Sequence, residues 1–259
     1  MRFCIFAYYM KVTLVGAGKL GRQLYAKLTC IEEIQFVEWY IRSSKKNKTN
    51  EGITITTDTK KLKQTDLYII AVSDNAIEKV SNILPKNSFV VHTSGCISIN
   101  KIKQSRRGVF YPIQTFSKGR NIDFSSISIG LESRTKNDYM ILEKLVNFFG
   151  ANCVHINSDQ RRQLHLAAVL VNNFPNYLYA QAEVLCIEKG LSFELLKPLL
   201  FETVSKLDQL SPIDAQTGPA VRDDKKTIKE HLKLLKKPHL RSIYKLLTKE
   251  IQRNNGKKL

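Results

Sequence analysis

The sequence lacks several features that would have fixed its class at once. Nowhere do eighteen consecutive apolar residues occur, so no helix able to span a bilayer is expected. The five cysteines, Cys4, Cys30, Cys96, Cys153 and Cys186, lie far apart and include no C-x-x-C pair. Such spacing argues against a zinc site and a disulfide framework, predicts no metal centre, and suits a reducing cytoplasm. No internal repeat or low-complexity linker breaks up the 259 residues, a length that suggests one large or two ordinary domains. Acidic side chains are scarce: 23 Asp and Glu stand against 41 Lys and Arg, for a formal net charge of +18.

An excess of that size raises the question of nucleic acid. Its distribution argues otherwise. Twelve Lys or Arg and only two Glu fall within residues 225–259. They sit on helices with regular apolar stripes, Ile228, Leu232 and Leu235 on one, Leu240, Ile243, Tyr244, Leu247 and Ile251 on the next. Arg241, Lys245, Lys249 and Arg253 recur every fourth residue on the opposite side, as on a solvated face. Neither nucleic acid nor a membrane is therefore expected as a partner. At the other end, residues 2–9 carry one basic residue and an apolar run, like a secretion signal. The strand that begins directly afterwards leaves no cleavage region, so a short extension ahead of a start at Met10 is expected.

What is present is more specific. The apolar run Met10-Lys11-Val12-Thr13-Leu14-Val15 leads straight into Gly16-Ala17-Gly18-Lys19-Leu20-Gly21. A strand ending in G-x-G-x-x-G, then a helix (Leu20, Leu24, Leu28) and a second strand, is the pattern of a dinucleotide-binding βαβ unit. Gly16 permits the tight turn, Gly18 a close approach to a pyrophosphate, and Gly21 the packing of helix on strand. The helix N-terminus adds free N–H groups and a partial positive charge. About twenty residues on, Arg42-Ser43-Ser44 stands where an NAD site usually has Asp or Glu. A guanidinium flanked by hydroxyls suits a 2′-phosphate, so NADP is the expected cofactor.

The first 156 residues alternate strands and helices, the pattern of an α/β doubly wound parallel sheet. Strands are expected at 11–15, 35–41, 53–56, 66–72, 88–93, 108–111, 127–131 and 152–156, with a helix at 136–149 between the last two. Beyond Ile156 the period is helical throughout. Asn157 and Ser158 are N-cap candidates for a long helix at 159–189, interrupted by Pro175 and closed by Gly190. Further helices are expected at 192–210, 225–236 and 238–253. The expected organisation is an α/β domain over 1–156 and an all-α domain over 157–259.

Ligands of open α/β sheets bind at the carboxyl ends of the strands. At that edge lie Ala71-Val72-Ser73-Asp74, His92-Thr93-Ser94-Gly95 and Tyr111-Pro112-Ile113-Gln114-Thr115-Phe116. Ala71, Val72, Ser73 and Thr93 are expected to face the cofactor and Ser94 the substrate. Asp74 reads as a helix N-cap, and His92 as structural. Tyr111 and Phe116 fit a turn anchor as well as they fit substrate contact. In the helical half, His165 and Asn172 are seven apart and would share one face across Ala168 and Val169. Polar groups on a buried side are costly, so they are either site residues or satisfied core groups. Arg222, in the loop Gly218-Pro219-Ala220-Val221-Arg222-Asp223-Asp224, suits an anionic substrate, whereas Asp223 or Asp224 can cap the following helix. Ser94, His165, Asn172 and Arg222 form the expected catalytic set, with His165 suited to proton transfer.

These segments, together with Leu164-His165-Leu166-Ala167-Ala168, Asn172-Asn173 and Gly218-Pro219-Ala220-Val221-Arg222-Asp223, resemble a bacterial family of Rossmann-like proteins with a C-terminal helical domain of unknown function. The resemblance runs from Met10 onward. More distantly the chain is similar to pyrroline-carboxylate reductase, deazaflavin-dependent NADP oxidoreductases and the 6-phosphogluconate dehydrogenase group. Those relatives imply a homodimer through the helical domain and hydride transfer in an interdomain cleft. One departure matters. Hydroxyacid dehydrogenases of that group carry a catalytic Lys four residues before an Asn, where this chain has Ala168 and Val169. Lysine-assisted alcohol oxidation does not carry over, which leaves open the reduction of a small anionic imine or carbonyl, or a non-catalytic dinucleotide sensor or scaffold.

Overall fold

Unbroken apolar stretches become the middle of the sheet. Leu67, Tyr68, Ile69 and Ile70, with Val90 and Val91, are all 0% exposed. Strands covered on both faces have no solvent side for alternation to report. In the computed structural model, which describes residues 9–255, eight strands form one sheet. They are β1 (Met10–Val15), β2 (Ile34–Tyr40), β3 (Thr54–Thr56), β4 (Leu67–Ile70), β5 (Val90–His92), β6 (Arg107–Pro112), β7 (Ser128–Ser133) and β8 (Asn152–His155). Their order is β3-β2-β1-β4-β5-β6-β7-β8. The helices α1 (Lys19–Leu28), α2 (Asp74–Ile83) and α3 (Lys136–Phe149) supply cover. Leu24, Leu28, Leu142 and Phe149 pack with Leu14 and Phe110 in one cluster, Ile77 with Val15, Tyr68 and Ile70 in another. Tyr9 is the only described residue of the expected extension; residues 2–8 lie outside the described ones.

The sheet is not parallel throughout. β6 pairs antiparallel with β7, and β7 parallel with β8. A parallel return needs a crossover, usually a helix. Residues 113–127 hold only the 3₁₀ turn Phe124–Ser126, so the chain doubles back instead. β4 and β5 end earlier than expected, leaving Ala71, Val72 and Thr93 in the connections. Ser73, not Asp74, is the N-cap of α2: it keeps extended backbone (φ −62°, ψ 148°), and Asp74 is already helical.

After β8 the described residues are helical or looped: α4 (Ser158–Ala168), α5 (Phe174–Ile187), α6 (Lys197–Ser205), α7 (Lys225–Leu234) and α8 (Pro238–Asn255). The expected long helix 159–189 is two helices joined by a π turn, Val169–Asn173. Pro175 has no N–H to return to Val171, and the Phe174 N–H reaches five residues back to the Val169 carbonyl. The expected helix 192–210 is likewise broken, into 3₁₀ turns on either side of α6, whose first turn holds Pro198. Two compact units result, dividing at Tyr177/Leu178 rather than at Ile156. The physical reason is that α4 is clasped to the sheet. Arg161, 0% exposed, pairs with Glu132 of β7 and donates to the Ile97 carbonyl and the Ser158 hydroxyl.

Candidate active site at the carboxyl edge of the sheet

The glycine turn between β1 and α1 is shaped by close backbone approach. Gly16 has φ +113°, and a Cβ there would fall 2.2 Å from the Ala71 carbonyl oxygen. A Cβ on Gly21 would lie 2.5 Å from the Gly16 carbonyl oxygen. Around Gly18 the opposite holds: a Cβ would meet no atom within 4 Å. Gly18 is also the N-cap of α1, with no side-chain cap bond and no acidic residue in the first turn. An open cradle over uncapped helical N–H groups fits a pyrophosphate. Trp39 fixes the turn from beneath, donating its indole N–H to the Gly16 carbonyl at 2.7 Å. Gly16 in turn donates to the Tyr40 carbonyl at 3.0 Å, two residues before Arg42. Arg42 and Ser43 are exposed there, while Ser44 is engaged in its own turn with Lys46.

Further along the same edge, Ala71 and Thr93 are buried, and Thr93 donates its hydroxyl to the Ile70 carbonyl. Ser73 leaves its cap position without a side-chain bond. The Ser94 hydroxyl accepts from the N–H groups of Cys96 and Ile97 at 3.1 Å and so shapes the loop. His92 is fully buried and accepts from the Ser94 N–H at 3.1 Å. Burial, and then the nearby Arg161 charge, hold its ring down at about 3, so it is neutral.

The Arg161 clasp decides where His165 goes. Arg161 meets Glu132, which pairs with Val109 across β6 and β7. His165 is one helical turn further on and reaches the end of β6, where its Nδ1 lies 3.1 Å from the Tyr111 hydroxyl. The imidazole also rides on Gly95: a Cβ there would stand 2.6 Å from Nδ1. Thus Gly95, Tyr111 and His165 converge, with Thr93 and Ser94 on the chain just before Gly95. Asn172 does not follow by helical repeat. It lies within the π turn, where Leu170, Val171, Asn172 and Asn173 are all exposed. Arg222 is exposed in the second unit, where Asp224, not Asp223, caps α7 by accepting from the Thr227 N–H. Three residues of this arrangement were not in the expected set: Tyr111, Gly95 and the buried Arg161. Tyr111 at the end of β6 was the one visible signal. Among the described residues no group of three or more His, Cys, Asp or Glu could hold a metal ion.

Comparison with known proteins follows the same lines. The profile of a domain of unknown function, DUF2520, matches residues 127–251, beginning at the reversal into β7. A solved protein from Bacteroides fragilis, provisionally named an NADP oxidoreductase, is 32% identical over 95% of this chain and 99% of its own, with TM-score 0.83. The reductive aminase of Aspergillus terreus, solved with NADPH and ethyl-5-oxohexanoate, is 15% identical, with 95% and 94% covered and TM-score 0.69. Plasmodium falciparum pyrroline carboxylate reductase, solved with NADP, is 16% identical, with 96% and 99% covered and TM-score 0.58. No curated protein matches. At those lower identities the likeness is one of fold. The extent of the first match, together with the profile, shows that the chain belongs to the family of Rossmann-like proteins whose C-terminal part is the domain of unknown function DUF2520.

Proposed function

We propose that this protein is an NADPH-dependent oxidoreductase acting on a small, anionic imine or carbonyl compound. The observation that carries the proposal is His165, held by Tyr111 and Gly95 at the ligand edge of a sheet whose glycine turn is open at Gly18. Bound NADPH would supply the hydride. Gly16, Ala17, Gly18, Lys19, Leu20 and Gly21 would hold its pyrophosphate, Ala71, Val72, Ser73 and Thr93 its neighbouring parts. Arg42, with Ser43 and Ser44, would take the 2′-phosphate, because a guanidinium offers charge-assisted hydrogen bonds that an acidic residue cannot. His165 would donate a proton to the reduced centre, and Ser94 and Asn172 would orient the substrate. The setting would be cytoplasmic, in keeping with five scattered cysteines; no helix among the described residues is long and apolar enough to cross a membrane.

The protein would work as a homodimer formed through its helices. Phe201, Leu195 and Val204 are 73%, 68% and 64% exposed, an apolar surface of a kind seldom left uncovered.

Calorimetric titration with NADPH and NADH, together with turnover of a panel of imines and keto acids, tests the proposal. Wild type should prefer NADPH, and Arg42→Asp should remove that preference, worth about 1.5–3 kcal/mol. His165→Ala should leave NADPH affinity intact and lower turnover by about 10²–10⁴-fold. Equal affinity for both cofactors sinks the 2′-phosphate assignment. NADPH binding with no turnover anywhere in the panel would mark a dinucleotide sensor instead.

A further inference from the structure

Resting on the assignment of His165 as proton donor, we propose that Tyr111 is a positioning residue that holds the His165 ring as its Nε2–H form, with Nε2 left as the donor. Two contacts, to different strand ends, act on the same ring nitrogen. The Tyr111 hydroxyl lies 3.1 Å from Nδ1, and the Gly95 backbone is so close that a Cβ would stand 2.6 Å from it and 2.7 Å from Cγ. Nδ1 is therefore spent on the protein.

A phenol is the better donor of the pair and a neutral imidazole nitrogen the better acceptor, so the hydroxyl proton lies between Tyr111 and Nδ1. Burial pushes the Tyr111 phenol up, which keeps that proton in place through the neutral range. When the ring carries a second proton the bond reverses: Nδ1–H donates to the phenol oxygen, and Nε2 still carries its hydrogen. The proton delivered to a carbonyl oxygen comes from the doubly protonated ring, which loses it from Nε2 and becomes neutral with Nδ1–H still donating to the phenol oxygen. The neutral resting ring presents Nε2–H as a hydrogen-bond donor only. Around this pair, Arg161 of α4 acts on Tyr111 and is itself paired with Glu132 of β7, while Cys96, on the loop after β5, feels Asp74, Arg161 and Arg162. The Arg161 clasp fixes the helix, and Tyr111 fixes the ring on it.

The experiment uses the full chain without cofactor, its histidines labelled with ¹⁵N, above neutral pH. His165→Ala identifies the ring signals. Wild type should show one pyridine-type nitrogen, Nδ1, and one pyrrole-type nitrogen, Nε2. In Tyr111→Phe the two signals should move toward each other as the tautomers average, while NADPH affinity stays unchanged and turnover falls about tenfold to a hundredfold at constant KM. Gly95→Ala reaches the same ring without touching the phenol and should produce the same averaging, which keeps the test open should Tyr111→Phe fold poorly. Unchanged ring signals in the folded variants overturn the inference. So does a wild-type ring protonated at Nδ1. Because the nitrogen signals need no turnover, an inactive wild type would count against the oxidoreductase assignment and leave this test standing.

Discussion

The strands of the sheet and the helices that follow them treat the same kinds of residue in opposite ways. In the first, Leu14, Ile69, Val91 and Phe110 are 0% exposed; in the second, Leu199 is 61% and Leu234 69% exposed. The difference is architectural. A parallel strand is bracketed by neighbours and by crossover helices, so each apolar side chain finds cover within the same unit. A helix buries one stripe and leaves the rest to whatever comes next. An apolar helical face is therefore a statement about a surface to be covered, whereas an apolar strand is already covered.

The contrast can be broken from the core side first. Ile69→Ala removes a fully buried side chain from β4 and should cost about 2–5 kcal/mol in denaturant unfolding, through lost transfer energy and the cavity left behind. A near-neutral result would mean that the middle of the sheet is looser than its burial implies. Phe201→Glu probes the other side. If helices cover helices between two copies, the charge should weaken dimerisation by at least about 2 kcal/mol and yield folded monomers in sedimentation. Wild type sedimenting as a 29.6 kDa species would remove the reason for that surface.

An effect that depends on pH, and is absent near neutrality, lies inside the sheet unit. The His92 ring, held at about 3 against 6.5 when free, takes up no proton in the folded protein above that range. An unfolded chain does so below pH 6.5, so acid favours unfolding. The His92 contribution is complete above 6.5 and is lost as pH falls toward 3, at up to about 1.4 kcal/mol per pH unit. His92→Asn keeps an acceptor for the Ser94 N–H and should flatten the acid limb of the stability profile. An unaltered limb would mean that other groups govern it. Least of all should Lys245→Gln with Lys249→Gln matter: both are exposed on α8, and the pair should shift stability by under about 0.5 kcal/mol. A larger shift would show that the basic face is covered by something.

Much of this was legible in the residues, for reasons that differ by element. The turn at Gly16 was readable because glycine is the residue for its backbone angle and for the 2.2 Å approach to Ala71. Asn157 at the head of α4 was readable because capping is local; it forms a full capping box with Gln160. The reversal at β7 was less so, although the linker before it contains no helical pattern. The stretch Val169–Asn173 shows where helical periodicity is interrupted: a π turn stands there, and only Pro175 hints at it. Tyr111, Gly95 and His165 come from β6, the loop after β5 and α4, and no spacing along the chain announces such a meeting. Nor does a lone arginine in a basic sequence reveal that, among the described residues, Arg161 is taken fully inside.

Trp39 gives the glycine turn a consequence of a different order. It is the chain's single tryptophan, 6% exposed, stacked on Tyr25 at 4.3 Å between ring centroids, and bonded to the Gly16 carbonyl. Its emission therefore has one origin, and that origin is coupled to the peptide dipole of the turn. Any anion entering the turn changes the field at the indole without touching it. The native protein thus carries an unlabelled optical reporter of occupancy, with no second fluorophore of its kind to dilute the signal.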